Sequence, residues 1–243
     1  MQNLIETELK IHLQTEENLQ KFLEYLKTIG TLSDGTKEKQ LNHYFVDTLN
    51  QTPMQQITRL LEGGMNDRLR NKLKVKNNLV ALSIFSNISI RTRYINNKQA
   101  ILVVKGSNSD ASNGQSRAEW ELELGSFYAN ECKLDKLLTL NDFEYQAKWS
   151  RERDSRFLVG YCNQPIKVDI DKNAGYGYLV ELELLADNPI VADTNLKILK
   201  ELVAKSDFEV LNGELLSKMF TFYNSNWKDF YGTQNTFTIQ NSK

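Results

Sequence analysis

The chain has 243 residues, with 30 Lys and Arg against 31 Asp and Glu, for a net charge of −1. Such a balance excludes any global attraction to nucleic acid or acidic membranes, so a polyanionic partner must meet a local arrangement of charge. The 40% hydrophobic content is enough for a proper core. The isolated cysteines, Cys132 and Cys162, fit a reduced, cytoplasmic setting.

In chain order, strand-like alternation opens at Leu4 to Leu13 and is followed by a helix over Glu16 to Ile29, with Leu19, Phe22, Leu23, Leu26 and Ile29 on one stripe. Gly30 is expected to cap that helix. A second strand spans Leu41 to Thr48. The stretch Leu49 to Phe85 is too long for a hairpin loop and reads as a helical insertion, with helical spacing over Met54 to Leu61 and a basic run from Arg68 to Lys76. Strands are then expected at Ser89 to Tyr94, Ala100 to Lys105, Arg117 to Leu124, Tyr145 to Arg153, Ile166 to Asp171 and Tyr178 to Leu185, with a polar loop over Gly106 to Ser116. Two amphipathic helices follow, Thr194 to Lys205 and Gly213 to Phe222, and a loose polar tail ends the chain. No stretch reads as a leader or membrane span. Eight strands suffice to close a barrel, so the expected fold is α+β, a single domain over 1–243 with an eight-stranded antiparallel tunnel covered by helices.

The charges on these strands are grouped. Glu6, Glu8 and Lys10 share one face of the first strand while Leu9, Ile11 and Leu13 take the other. An isolated triplet of this kind is an ordinary wet strand face. The pattern recurs, however, in Arg91 and Arg93, Lys105, Arg117 with Glu119, Glu121 and Glu123, Arg151 and Arg153, Lys167 with Asp169 and Asp171, and Glu181 with Glu183. Like charges about 4 Å apart cost on the order of 4 kcal/mol at an effective dielectric near 20, so converging faces need both signs. A lumen holding a metal–polyphosphate complex needs basic donors for phosphate oxygens and carboxylates for a hard cation.

These residues resemble the CYTH domain proteins, the triphosphate tunnel metalloenzymes. Glu6-Thr7-Glu8-Leu9-Lys10 matches the family's E-x-E-x-K signature, and His43 to Thr48 is similar to its aromatic-aromatic-Asp-Thr segment. Ile90 to Arg93 resembles the paired-arginine strand, Leu102 to Gly106 the strand ending in Lys-Gly, Arg117 to Glu121 the R-x-E-x-E strand, and Asp171 with Gly175-Tyr176-Gly177 and Glu181-Leu182-Glu183 the closing block. Val103 departs from the pattern, standing where a small hydroxylated residue is usual, and the long Leu49 to Phe85 segment has no counterpart in compact members.

The resemblance implies a divalent-metal-dependent hydrolase of tripolyphosphate, thiamine triphosphate or a nucleoside triphosphate, using magnesium or manganese and a metal-bound water. Glu6, Glu8, Glu181 and Glu183 would hold the metal, with Glu119, Glu121 and Asp171 as further acidic candidates. Lys10, Arg91, Arg93, Lys105, Arg117, Arg151 and Arg153 would grip phosphate, and Lys10, Lys105 and Arg153 are the catalytic candidates among them. Of the two histidines, His12 falls on the charged face but beyond the signature, where a structural role is favoured. Trp149 shares a face with Arg151, where a barrel-end aromatic is favoured over a stacking platform for a base or thiamine ring. An adenylate cyclase of the same fold and a non-catalytic polyphosphate-binding module are the alternatives. The expected partner is a small triphosphate bound by a monomer or homodimer, with neither nucleic acid nor membrane involved.

Overall fold

Strands that mostly alternate charged and apolar residues pair antiparallel in the computed structural model, which describes residues 5–62, 87–107 and 118–238. The strands are β1 (Ile5–Gln14), β2 (Thr31–Leu32), β3 (Thr36–Asp47), β4 (Asn87–Ile95), β5 (Gln99–Ser107), β6 (Ala118–Leu124), β7 (Phe143–Val159), β8 (Ile166–Asn173) and β9 (Gly177–Ala186). All eight expected strands are present. The ninth, β2, is a two-residue pairing with β7 too short to leave an alternation signal. The helices are α1 (Glu16–Ile29), α2 (Pro53–Glu62), α3 (Ser126–Ala129), α4 (Lys133–Thr139), α5 (Pro189–Ala204) and α6 (Gly213–Phe230). The fold is thus α+β around a large antiparallel sheet. Among the described residues β1 pairs with β9 and β6 with β5, and the hydrogen-bonded ladder ends at both strands rather than closing.

The described residues form two compact units, 5–39 with 150–238, and 40–62 with 87–107 and 118–149. In the first, the strand order is β1-β9-β8-β7. Its apolar face, including Ile11, Leu13, Val168, Val180 and Leu182, packs on Phe22 and Leu26 of α1 and Leu199 and Leu202 of α5. Each such large side chain, fully buried, contributes roughly 1.5–3 kcal/mol by leaving water. α1 keeps the bounds read from the sequence and is capped by Thr15, whose hydroxyl accepts from the Asn18 amide. In the second unit the order is β3-β4-β5-β6. One face, carrying Phe45, Ile90, Tyr94, Leu102, Val104 and Leu122, packs on Ile57 and Leu60 of α2 and Leu134 and Leu138 of α4.

Several expectations are corrected. Gly30 is the C-cap of α1, as expected, but its backbone is extended rather than left-handed, and a side chain there would meet the Val159 carbonyl at 2.7 Å. α5 begins five residues earlier than its apolar spacing suggests, at Pro189, because the Asn188 side chain caps it and proline suits a first turn that needs no N–H donor. α6 runs on to Phe230, burying Met219, Tyr223 and Phe230. The tail is not loose as far as residue 238. The Gly175 amide donates to the Asn235 carbonyl at 2.9 Å, and the Phe237 ring lies 4.7 Å from Phe222 and 5.1 Å from Phe230. Within the expected insertion the described part holds one helix, α2, while residues 63–85 and the expected loop over 108–116 lie outside the described residues.

Gly177 is a sensitive point of the first unit. Its φ is +73°, and a Cβ would sit 2.2 Å from the Gln14 carbonyl oxygen. Gly160 has φ +94° but open space around it. Gly177→Ala should therefore destabilise by clearly more than the conformational cost of about 1–2 kcal/mol shared with Gly160→Ala. Equal melting temperatures for the two variants would remove the close approach as an explanation.

Candidate functional site

The second face of the first unit is charged, and register explains how its groups meet. Lys10, Glu181 and Asp169 lie in line across β1, β9 and β8, and Glu8, Glu183 and Lys167 form the adjacent row. Lys10 Nζ donates to Glu181 Oε1 at 2.7 Å and stands 3.0 Å from Glu8 Oε2. Arg153 is the hub. Its Nε and Nη2 grip the two oxygens of Asp171 at 2.7 and 2.6 Å, Nη1 reaches Asp169 at 2.6 Å and Nη2 reaches Glu181 Oε2 at 2.7 Å. Arg151 adds a bond to Asp171 at 2.7 Å, and Lys167 bridges Asp169 at 3.1 Å and Glu183 at 3.2 Å. The guanidinium fork explains why arginine occupies the position with three carboxylate partners.

Burial and charge oppose each other here. Burial pulls the Lys10 ammonium down, but Glu181 and Glu8 more than offset it and hold its pKa above the usual lysine range. Burial pushes Glu181 up, yet Lys10, Arg153 and Arg151 hold it well below the ordinary carboxylate value. Lys167 is likewise raised by Asp169 and Glu183 against desolvation. Lys10, Glu181 and Lys167 are therefore ionised near neutral pH. His12, on the same face, has its ring nitrogen Nε2 2.7 Å from the Tyr176 carbonyl, and burial lowers its pKa. It thus stands as a neutral imidazole donating to the backbone beside the Gly175–Gly177 turn.

In the second unit, Arg91 and Arg93 share the face opposite the apolar core. Arg93 Nη1 binds Glu121 Oε1 at 2.8 Å and its Nε donates to Asn42 at 3.3 Å. Arg91 donates to the Tyr44 hydroxyl at 2.8 Å, with its guanidinium carbon 5.6 Å from that ring's centre. Tyr44 meets Trp149 edge-on at 6.4 Å. Val103 is fully buried on β5, in register with Arg91 and Glu121. Lys105 is in register with Ser89 and Glu119. Asp47, in the segment resembling the aromatic-aromatic-Asp-Thr motif, accepts from the Leu49 and Gln51 amides and pairs with Arg59, which fastens the entry to α2.

Behind these strands lies a cluster with no sequence forecast. Asp135 of α4, buried, accepts from His43 Nδ1 at 2.5 Å, Thr92 at 2.6 Å, Tyr94 at 2.6 Å and Tyr145 at 2.9 Å. Burial pushes its carboxyl up, but the hydrogen bonds and the His43 charge bring it below the usual aspartate range. His43, Cys132 and Asp135 have candidate ligand atoms within 4.8 Å of one another. Four donors already fill the lone pairs of Asp135, so a metal would have to displace one of them.

No protein-family model matches the chain, and no curated protein matches it. Solved structures do. A conserved hypothetical protein of Pyrococcus furiosus aligns with a TM-score of 0.52 at 19% identity, covering 85% of this chain and 95% of its own. A Pyrococcus horikoshii protein gives 0.53 at 15%, covering 84% and 94%. A Hippeastrum protein, described as an adenylyl cyclase candidate with a dominant triphosphatase activity, gives 0.52 at 17%, covering 90% and 96%. The likeness is one of fold.

Among the residues singled out from sequence, the first unit joins Lys10, Glu8, Glu181, Arg151, Arg153, Asp171 and Glu183 into one network through Lys167 and Asp169. Glu6 stands exposed on the same face of β1, one pleat from Glu8. The second unit joins Arg93 to Glu121. Arg117 and the side chain of Glu119 lie outside the described residues. Asn42, Tyr44, Ser155 and Asp135 were not singled out; the first three share strand parity with the charged residues they touch, a signal that alternation does contain.

Proposed function

We propose that this chain is a CYTH-type enzyme that hydrolyses a small triphosphate with magnesium or manganese. The observation that carries the reading is the interlocked Lys10–Glu181–Arg153–Asp171 network beside the register pair Glu8 and Glu183. The donor set suits a hard cation, since it offers carboxylates rather than thiolates or imidazoles. Within it the acids differ. Glu181 has both oxygens in ion pairs, with Lys10 and Arg153, and Asp171 has both on arginines. Glu8 and Glu183 are each engaged at Oε2 by a lysine. Magnesium takes only one or two protein carboxylates and keeps waters, so Glu8 and Glu183 are the ligands assigned here, with Glu6 near them.

When bound, the cation supplies charge to the phosphate oxygens and activates water. The chain's own contribution is electrostatic. Arg151, Arg153 and Lys10 are held in fixed directions by Asp171 and Glu181 before any ligand arrives, so little reorganisation is needed as charge develops on the transferred phosphoryl group. Arg91, Arg93, Lys105 and Arg117 are assigned as further phosphate donors, and Glu119 and Glu121 as acids that balance or assist them. The fold-level likeness to the Hippeastrum protein supports both the triphosphatase reading and, as the second, adenylate cyclisation.

The test is release of orthophosphate from inorganic tripolyphosphate in the presence of magnesium or manganese, and its loss with a chelator. Turnover that persists in chelator would remove the metal assignment, and failure to cleave any triphosphate would remove the hydrolase.

A further inference from the structure

On β3 and β4 of the second unit, the face bearing Asn42, Tyr44, Arg91 and Arg93 alternates with a face bearing His43 and Thr92. Tyr44 is the register partner of Arg91 and also its hydrogen-bond acceptor, and Asn42 stands in the same relation to Arg93. His43 and Thr92, between these two pairs, are register partners of each other. Both are held from behind by one carboxylate, with His43 on Asp135 Oδ2 at 2.5 Å and Thr92 on Oδ1 at 2.6 Å. Tyr94 and Tyr145 complete the grip, and the Asp135 amide donates back to the Tyr94 hydroxyl at 3.2 Å.

We infer that Asp135 is a positioning residue for the paired arginines. By clamping the central pair of the β3–β4 ladder it fixes the two flanking pairs, and so the directions in which Arg91 and Arg93 are presented. The physical reason lies in the strand period: backbone direction sets side-chain direction, and neighbouring residues point to opposite faces. A clamp on one face therefore sets the geometry of the other without touching it. Strands free to twist would let long guanidinium stems wander, whereas sites that act by preorganised charge need supporting groups that lock the acting side chains. α4 brings the carboxylate to this place because Leu134 and Leu138 bury the same side of the helix.

The inference rests on the proposed phosphate-binding role of Arg91 and Arg93, but its geometric part can be read without any ligand. Asp135→Asn keeps the shape while presenting an amide donor where the carboxylate accepted from two groups, and Thr92→Val removes a single hydrogen bond at a fully buried site. In the ¹⁵N-labelled full chain, the Nε–H signals of Arg91 and Arg93, assigned through lysine variants, should shift or broaden in both variants while that of Arg153 stays in place. The kcat/KM for tripolyphosphate should fall on the order of 100-fold, the penalty typical of a misplacement near 1 Å. Unaltered Arg91 and Arg93 signals in variants that remain folded by circular dichroism would overturn the assignment. If those signals move although wild-type protein fails to bind tripolyphosphate, the positioning role stands and the phosphate reading falls.

Discussion

Replacing Arg153 by methionine should lower the melting temperature at pH 7 by about 10 °C, as expected from the roughly 3–5 kcal/mol cost of breaking a buried ion pair. Arg153 is the shared partner of Asp169, Asp171 and Glu181, of which Asp171 is 0% and Asp169 2% exposed. Without the guanidinium these carboxylates lie close together, and among the described residues Arg151, Lys10 and Lys167 are left beside them. The pH dependence follows from linkage. Glu181 is depressed below its ordinary value of 4.5, so the stability it contributes is complete above that value and is lost as pH falls through the folded pKa. In the variant that depression is weakened, so less stability is lost in acid. The wild-type and variant curves should thus draw together as pH falls below 4.5. Thermal melts of both proteins from pH 3 to pH 8 check this, and an unchanged melting temperature at pH 7 would return Arg153 to a role in ligand binding alone.

Sequence pattern by itself treats Arg91 and Arg153 alike, as paired arginines serving phosphate. Structure separates them, since Arg153 anchors three acids whereas Arg91 donates to the Tyr44 hydroxyl. Most strands were legible because alternation is local, while β5 shows itself by the apolar run Ala100 to Val104, buried along its whole length. The grouping of charge by sign was legible for the same reason. What pattern could not convey is partner choice: which of Glu8, Glu181 and Glu183 is consumed by arginine depends on register, and register is a long-range property. Asp135 escaped for a related reason. It sits 43 residues beyond Thr92 and 92 beyond His43, and its trace in sequence is one charged residue beside Leu134 and Leu138 on the apolar side of a short helix. The tail escaped because Phe237 and Ile239 are two apolar residues in an otherwise polar stretch, too few to carry a period.

The unequal engagement of the acids leads to the second large effect. Glu183→Gln and Glu8→Gln should each reduce phosphate release from tripolyphosphate by about 100-fold or more, the scale on which loss of one transition-state charge contact is felt, with little change in melting temperature. Each glutamine retains an oxygen for its lysine, Lys167 or Lys10, so the fold keeps its contact while the site loses a negative charge. Glu181→Gln should behave differently, since it strips charge from two ion pairs at once and should cost stability together with activity. Manganese titrations followed by calorimetry separate the causes: weaker metal binding in the Glu8 and Glu183 variants, at unchanged fold, is the expected result. Product identity then distinguishes the reactions. Hydrolysis needs no organic group, so tripolyphosphate should yield orthophosphate and pyrophosphate; cyclisation needs the ribose hydroxyl, so cyclic AMP from ATP beside inert tripolyphosphate would transfer the assignment to the cyclase. Manganese affinity unchanged from wild type in all three variants would instead mean that these carboxylates only balance their basic neighbours.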